Sequence, residues 1–256
     1  VIKIMGHMKL EICTDSMASA IIAEKGGANR IELCSGLVIG GLTPSYSLIE
    51  MCKNNLNIDI NVLIRPRAGD FLYDEYEIET MIKDIEVCRK LGVNGIVVGV
   101  LDKNGKIDTE LMRRLIASAC KMEITFHRAI DMCDNLEAAI KELILLNVDR
   151  ILTSGGEKNS MDGVKSIRRL VDISRGEIEV MAGGGIGAHN IKEIIKETGC
   201  HSIHMSAKEC IQSDMIYRKK SVAMGIPGIM SEYEIYRSNL EEIKKTLSIV
   251  RELKEW

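Results

Sequence analysis

Short stretches in which apolar and polar residues alternate, rich in β-branched side chains, recur along the chain between longer segments whose apolar residues fall at helical spacing. The alternation predicts strands at Lys9 to Cys13, Arg30 to Cys34, Asp59 to Arg65, Gly95 to Val100, Glu123 to His127, Arg150 to Thr153, Glu177 to Ala182 and Ser202 to Met205. A helix is expected after each. Asp15 or Ser16 can cap the first, Thr43-Pro44 supplies a cap and a first-turn proline to the second, and Asp134 or Asn135 can cap the fifth. Gly26-Gly27, Gly92 and Gly199 mark helix exits. Alternating βα units admit an open doubly wound sheet or a closed barrel, and eight units of similar length favour closure. The expected fold is α/β, a single (β/α)8 TIM-type barrel spanning residues 8–256. Residues 207–231 break the rhythm, being polar at first and glycine-rich around Met224 to Gly228, as in a lid, an interface arm or a plug for the barrel end.

Alternation also fixes which side chains enter the barrel, because those facing the helices must be apolar. With Leu10 and Ile12 outward, Glu11 and Cys13 point in; with Ile31 and Leu33 outward, so do Glu32 and Cys34. The same parity sends Thr125 and His127, and then His204 and Ser206, to the interior. Barrel interiors are normally filled by branched aliphatic residues, and burying unpaired charge is costly. A polar set at the carboxyl-terminal strand ends therefore reads as a functional constellation, the alternative being an internally satisfied network of ion pairs.

Composition narrows the partners. A net charge of -3 and an aromatic share of 4% in 256 residues offer no basic stripe or stacking platform, so nucleic acid is not expected. No apolar run is long enough to span a membrane and no signal peptide is evident, so the expected location is cytoplasmic. Val1 to His7 read as an expression leftover, since Gly6-His7-Met8 is a common cloning scar. The eight cysteines are scattered without a CxxC, which points to free thiols rather than a disulfide framework.

Cys13 and Cys34 end neighbouring strands, and two thiols so placed can bridge a soft ion such as Cu(I), or can simply pack as small buried hydrophobes. Barrel shear bears on the choice, since it staggers neighbouring inward residues. Arg65-Pro66-Arg67, followed by Gly69-Asp70, brings two guanidiniums together if the extended geometry runs through the proline. They suit a carboxylate or phosphate, or else neutralise Glu11 and Glu32. Gly183-Gly184-Gly185 and the Ala188-His189-Asn190 helix start follow strand seven, where barrels often hold phosphate; Ser154, His204 and Ser206 border the same mouth. His127, near Arg128 and Asp131, is the candidate for proton transfer near neutral pH, with Glu11 or Glu32 as its partner. No lysine ends a strand, which disfavours Schiff-base chemistry.

Taken together, Glu11-Ile12-Cys13, Arg30 to Leu37, Ile64 to Arg67, Gly69-Asp70-Phe71, Thr125 to Ala129, Leu152 to Gly155, the glycine triplet and His204-Met205-Ser206 resemble the copper homeostasis protein CutC family, from about Met8 to Tyr233. The resemblance implies a TIM-type barrel, a cytoplasmic homo-oligomer (dimer or tetramer), and Cu(I) binding through Cys13 and Cys34. Where that family commonly continues His-Cys-Ser after strand eight, this chain has Met205, on the outward parity. Two functions stand at this point. One is a copper homeostasis protein holding Cu(I) at Cys13 and Cys34. The other is a barrel enzyme or sensor for a small phosphorylated or carboxylated metabolite, held by Arg65, Arg67, Asp70, Ser154, Gly183, Gly184, Gly185, His204 and Ser206.

Overall fold

A computed structural model describes residues 8–219, 221–222, 224 and 231–253. The eight expected strands form one closed parallel barrel in sequence order. They are β1 (Lys9–Thr14), β2 (Arg30–Leu33), β3 (Asp59–Leu63), β4 (Gly95–Val98), β5 (Glu123–Phe126), β6 (Arg150–Thr153), β7 (Glu179–Gly183) and β8 (Ser202–Met205). Strand β1 pairs with both β2 and β8, which closes the ring. The helices α1 (Met17–Gly26), α2 (Tyr46–Asn55), α3 (Glu75–Leu91), α4 (Thr109–Ala119), α5 (Leu136–Leu145), α6 (Val164–Ser174), α7 (Ile191–Thr198) and α8 (Leu240–Glu252) form the outer layer. Among the described residues no helix is long and apolar enough to cross a membrane.

Local chemistry explains the element ends. Ser16 caps α1, and Asn135 caps α5. Asp74 and Glu77 close α3 with reciprocal bonds to each other's backbone N–H. The cap of α2 is Ser45, not Thr43. Thr43 is diverted because its hydroxyl accepts the Arg65 N–H at 2.9 Å, tying the loop after β2 to the end of β3.

Parity holds across the sheet. Leu10, Ile12, Ile31, Leu33, Ile124, Phe126, Ile203 and Met205 belong to the main apolar layer between sheet and helices, while Cys13, Cys34, Leu63 and Val97 make a separate small cluster inside the barrel. Below that cluster the interior is charged. Arg30 pairs with Glu11, and Arg150 with Glu179 at 2.6 Å and Glu123 at 3.1 Å. Arg30 and Arg150 start their strands, so this layer closes the amino-terminal end, where barrel residues serve stability.

The segment after β8 departs from the βα rhythm, as expected, in the form of two antiparallel strands, β9 (Lys208–Gln212) and β10 (Glu234–Ser238). Residues 1–7, read above as a leftover, and most of the glycine-rich stretch at 225–228 lie outside the described residues.

Candidate functional site

A cavity of about 420 Å³ opens at the carboxyl-terminal strand ends, within the size range of small-molecule sites. Its walls bring together Cys13, Glu32, Arg65, His127, Gly184, Gly185, His204 and Ser206 from the sequence-derived set, and add Phe71, Arg128 and Lys208.

The sulfur wall comes from β1 and the end of β2. Cys13 stands level with Glu32 in the ladder, so Cys34 lies two residues further along its strand. The side chains close the stagger, leaving the two sulfurs 3.8 Å apart. Cys13 donates to Glu32 Oε1 at 3.2 Å. Its hydrogen bond with Cys34, burial and the neighbouring carboxyl raise the Cys13 thiol well above its ordinary value, so an ion binding there must displace the proton. Ligand atoms of Cys13, Glu32 and His204 lie within 4.8 Å of one another. Glu32 is itself raised by burial, and its Oε2 has no partner.

Behind this wall, Glu11 is fully buried and both of its oxygens are engaged, one by Arg30 and the other by His204 Nδ1 at 2.8 Å. Burial alone would raise its carboxyl, but Arg30 and His204 reverse this and hold it at about 2. Glu11 therefore lies outside the cavity as a fixed counter-ion, not a proton-transfer partner as the sequence suggested. For His204, burial acts to lower the pKa, but Glu32 and Glu11 outweigh it and hold the imidazole above its ordinary value. Since Nδ1 faces Glu11, Nε2 is the ring atom left for a ligand. A carboxylate behind a histidine in this way is the usual means of orienting a metal-binding imidazole.

Arg65 and His127 line the cavity from beyond the ends of β3 and β5. The Arg65 guanidinium donates to the carbonyls of Ile39, Gly41 and Gly69 and makes no ion pair among the described residues, although the residue is 7% exposed. It does not neutralise Glu11, a role that Arg30 fills. Arg67 does not converge with it either. Strand β3 ends at Leu63, and beyond Pro66 the Arg67 side chain turns to Glu77 and Asp70 at the rim. Arg67 and Asp70 are thus outside the cavity.

His127 accepts the Ala129 N–H at Nδ1, which leaves the proton on Nε2, and Nε2 has no partner. Burial, reinforced by the Arg65 charge, lowers His127 to about 3. It is a neutral N–H donor at pH 7, not the near-neutral acid or base the sequence suggested. An unfolded histidine takes up its proton near 6.5 while this one stays neutral to about 3, so stability contributed by the neutral ring falls as pH drops through that window. The expected slope is about 1.4 kcal/mol per pH unit. His127→Gln should flatten the stability profile between pH 6 and 4 by that amount in chemical denaturation; parallel profiles for the two proteins would contradict the assignment.

Ser154 and the helix start after the glycine triplet are already engaged. The Ser154 hydroxyl bonds Asp131, Arg128 and the Glu157 carbonyl. Glu242 of α8 accepts the Ala188 N–H at 2.7 Å, so a carboxylate of the chain itself fills the start of α7. Gly183 is buried, and its carbonyl accepts from Ser160. Lys208 escaped the sequence reading because it opens β9, beyond the eighth barrel strand. Arg30 was overlooked too, although its spacing of two from Glu32 places it on the same inward face.

The profile of the CutC family matches residues 8–209. A CutC family protein of Parabacteroides distasonis is 46% identical over 236 residues, covering 92% of this chain and 97% of that one. The human copper homeostasis protein cutC homolog is 41% identical over 244 residues, covering 95% and 89%. A crystal structure of CutC from Streptococcus agalactiae superposes with a TM-score of 0.75 at 32% identity, covering 78% of this chain and 98% of that one.

Proposed function

This chain belongs to the CutC family of copper homeostasis proteins, and from that premise we propose that it binds Cu(I) at the strand-end thiols Cys13 and Cys34. The observation that carries the reading is the 3.8 Å separation of the two sulfurs, Cys13 lining an open cavity and Cys34 fully buried beside it. With metal–thiolate bonds of about 2.3 Å, sulfurs at that separation subtend roughly 110° at a bound ion. Such a bent pair leaves room for a third donor, and His204, whose ligand atom lies within 4.8 Å of that of Cys13, can supply it. Thiolates select a soft monovalent copper over harder divalent ions. Apart from Cys13, His204 and Met205, which is turned toward the helices, the lining offers no sulfur or imidazole donor except His127 among the described residues.

Binding must release the Cys13 proton, so apparent affinity should climb with pH, by about tenfold per unit for each proton displaced. Anaerobic titration of Cu(I) against a competing chelator tests both parts. The expected result is one high-affinity equivalent, strengthened as pH rises and lost in Cys13→Ser with Cys34→Ser. Unchanged affinity in that double variant would end the proposal. A cytoplasmic setting, where thiols stay reduced, belongs to the same reading.

A further inference from the structure

Copper at the two thiols leaves the other polar groups of the cavity unexplained. Three observations there have no counterpart in a thiolate site. First, the buried Arg65 guanidinium is held by three carbonyls and by no carboxylate, so it carries an uncompensated positive charge. Its carbon sits 5.3 Å from the centroid of the Phe71 ring, over its face. Second, Lys208 lines the same cavity and makes no ion pair among the described residues, resting over the Tyr236 ring at 5.4 Å. Third, His127 presents a buried Nε2–H without an acceptor, and Glu32 a buried Oε2 without a donor. Leaving such groups unmade costs about 1–3 kcal/mol each, which a bound molecule would recover.

From these groups we infer that the cavity is also a binding site for a small anionic hydroxycarbonyl compound, with its phosphate or carboxylate against Arg65 and Lys208. A carbonyl oxygen accepts from His127 Nε2, and a hydroxyl donates to Glu32 Oε2. Gly184 and Gly185 line the same cavity, and neither N–H has an acceptor among the described residues. A side chain at Gly184 would be strained, since a Cβ there would stand 3.2 Å from the Ser154 Cβ at a φ of +110°. The site does not depend on the cysteines, so it stands or falls separately from copper.

Thermal denaturation of the copper-free full chain with inorganic phosphate, glycolate, glyceraldehyde 3-phosphate and dihydroxyacetone phosphate tests the inference. At least one of the organic anions should raise Tm more than inorganic phosphate does. Preference for the phosphorylated pair, or for glycolate, identifies the anion. Lys208→Gln and His127→Gln should each weaken that ligand by about tenfold or more. Lys208 is exposed, so its variant tests binding without threatening the fold. Cys13→Ser with Cys34→Ser should retain the stabilisation. No response to any of the four compounds, or a response equal in wild type and in Lys208→Gln, would overturn it.

Discussion

Replacing Arg30 with Met is expected to destabilise the folded protein by about 3–5 kcal/mol near neutral pH. Arg30 is 3% exposed and Glu11 is fully buried, so removing the guanidinium strands a carboxylate where water cannot reach it. The pH dependence separates this cause from lost packing. In the wild type, Glu11 is held at about 2 against an ordinary 4.5, so its contribution is complete above 4.5 and disappears as pH falls toward 2. Without Arg30, burial, the largest influence, is opposed chiefly by His204 and the carboxyl moves upward. The penalty should then be greatest at neutral pH and shrink on acidification, as Glu11 takes up a proton. Urea denaturation at pH 7 and pH 4 measures both values; a penalty independent of pH would assign the loss to packing. Glu11→Gln combined with Arg30→Met should recover part of the loss, because removing both charges costs less than leaving one unpaired.

Gly99→Ala should cost about 3 kcal/mol and also weaken binding at the His127 wall. A Cβ at Gly99 would stand 2.1 Å from His127 Cε1, 2.3 Å from Nδ1 and 2.7 Å from the Ala129 side chain. The ring cannot swing away without abandoning the Ala129 N–H and its contact with Phe71, 4.9 Å between centroids. The substitution therefore trades steric overlap for a displaced donor. A chemical denaturation series gives the first effect. The second appears as loss of ligand-induced stabilisation in the folded variant. Wild-type stability in Gly99→Ala would show that the ring is not confined as described.

Much of this arrangement could be read from alternation alone. Parity put Cys13, Cys34, Glu32, His127 and His204 inside, and closure of the sheet turned positions far apart in sequence into one cavity. The reading failed where alternation stops or where position in the strand was ignored. At Pro66 the strand had already ended, so extrapolating its geometry joined Arg67 to Arg65 when Glu77 in fact holds it at the rim. Arg30 and Arg150 obey parity, but as the first residues of their strands they resemble polar loop ends. Which arginine neutralises Glu11 depends on the register of β1 with β2, where Glu11 faces Arg30. His127 shows a different limit, because its neutral state follows from burial and from the Arg65 charge, and a sequence specifies neither.

One cavity combines the Cys13 thiol with the unpaired polar groups of Arg65, Lys208 and His127. On the copper proposal, the close thiol pair and the His204 ring held by Glu11 form a bent donor set. X-ray absorption at the copper edge of the Cu(I)-loaded protein tests that claim most directly. The expected spectrum has two sulfur neighbours at roughly 2.3 Å with one lighter donor, and both sulfurs vanish in Cys13→Ser with Cys34→Ser. A shell of nitrogen and oxygen alone, or a sulfur signal that survives the double substitution, would contradict it.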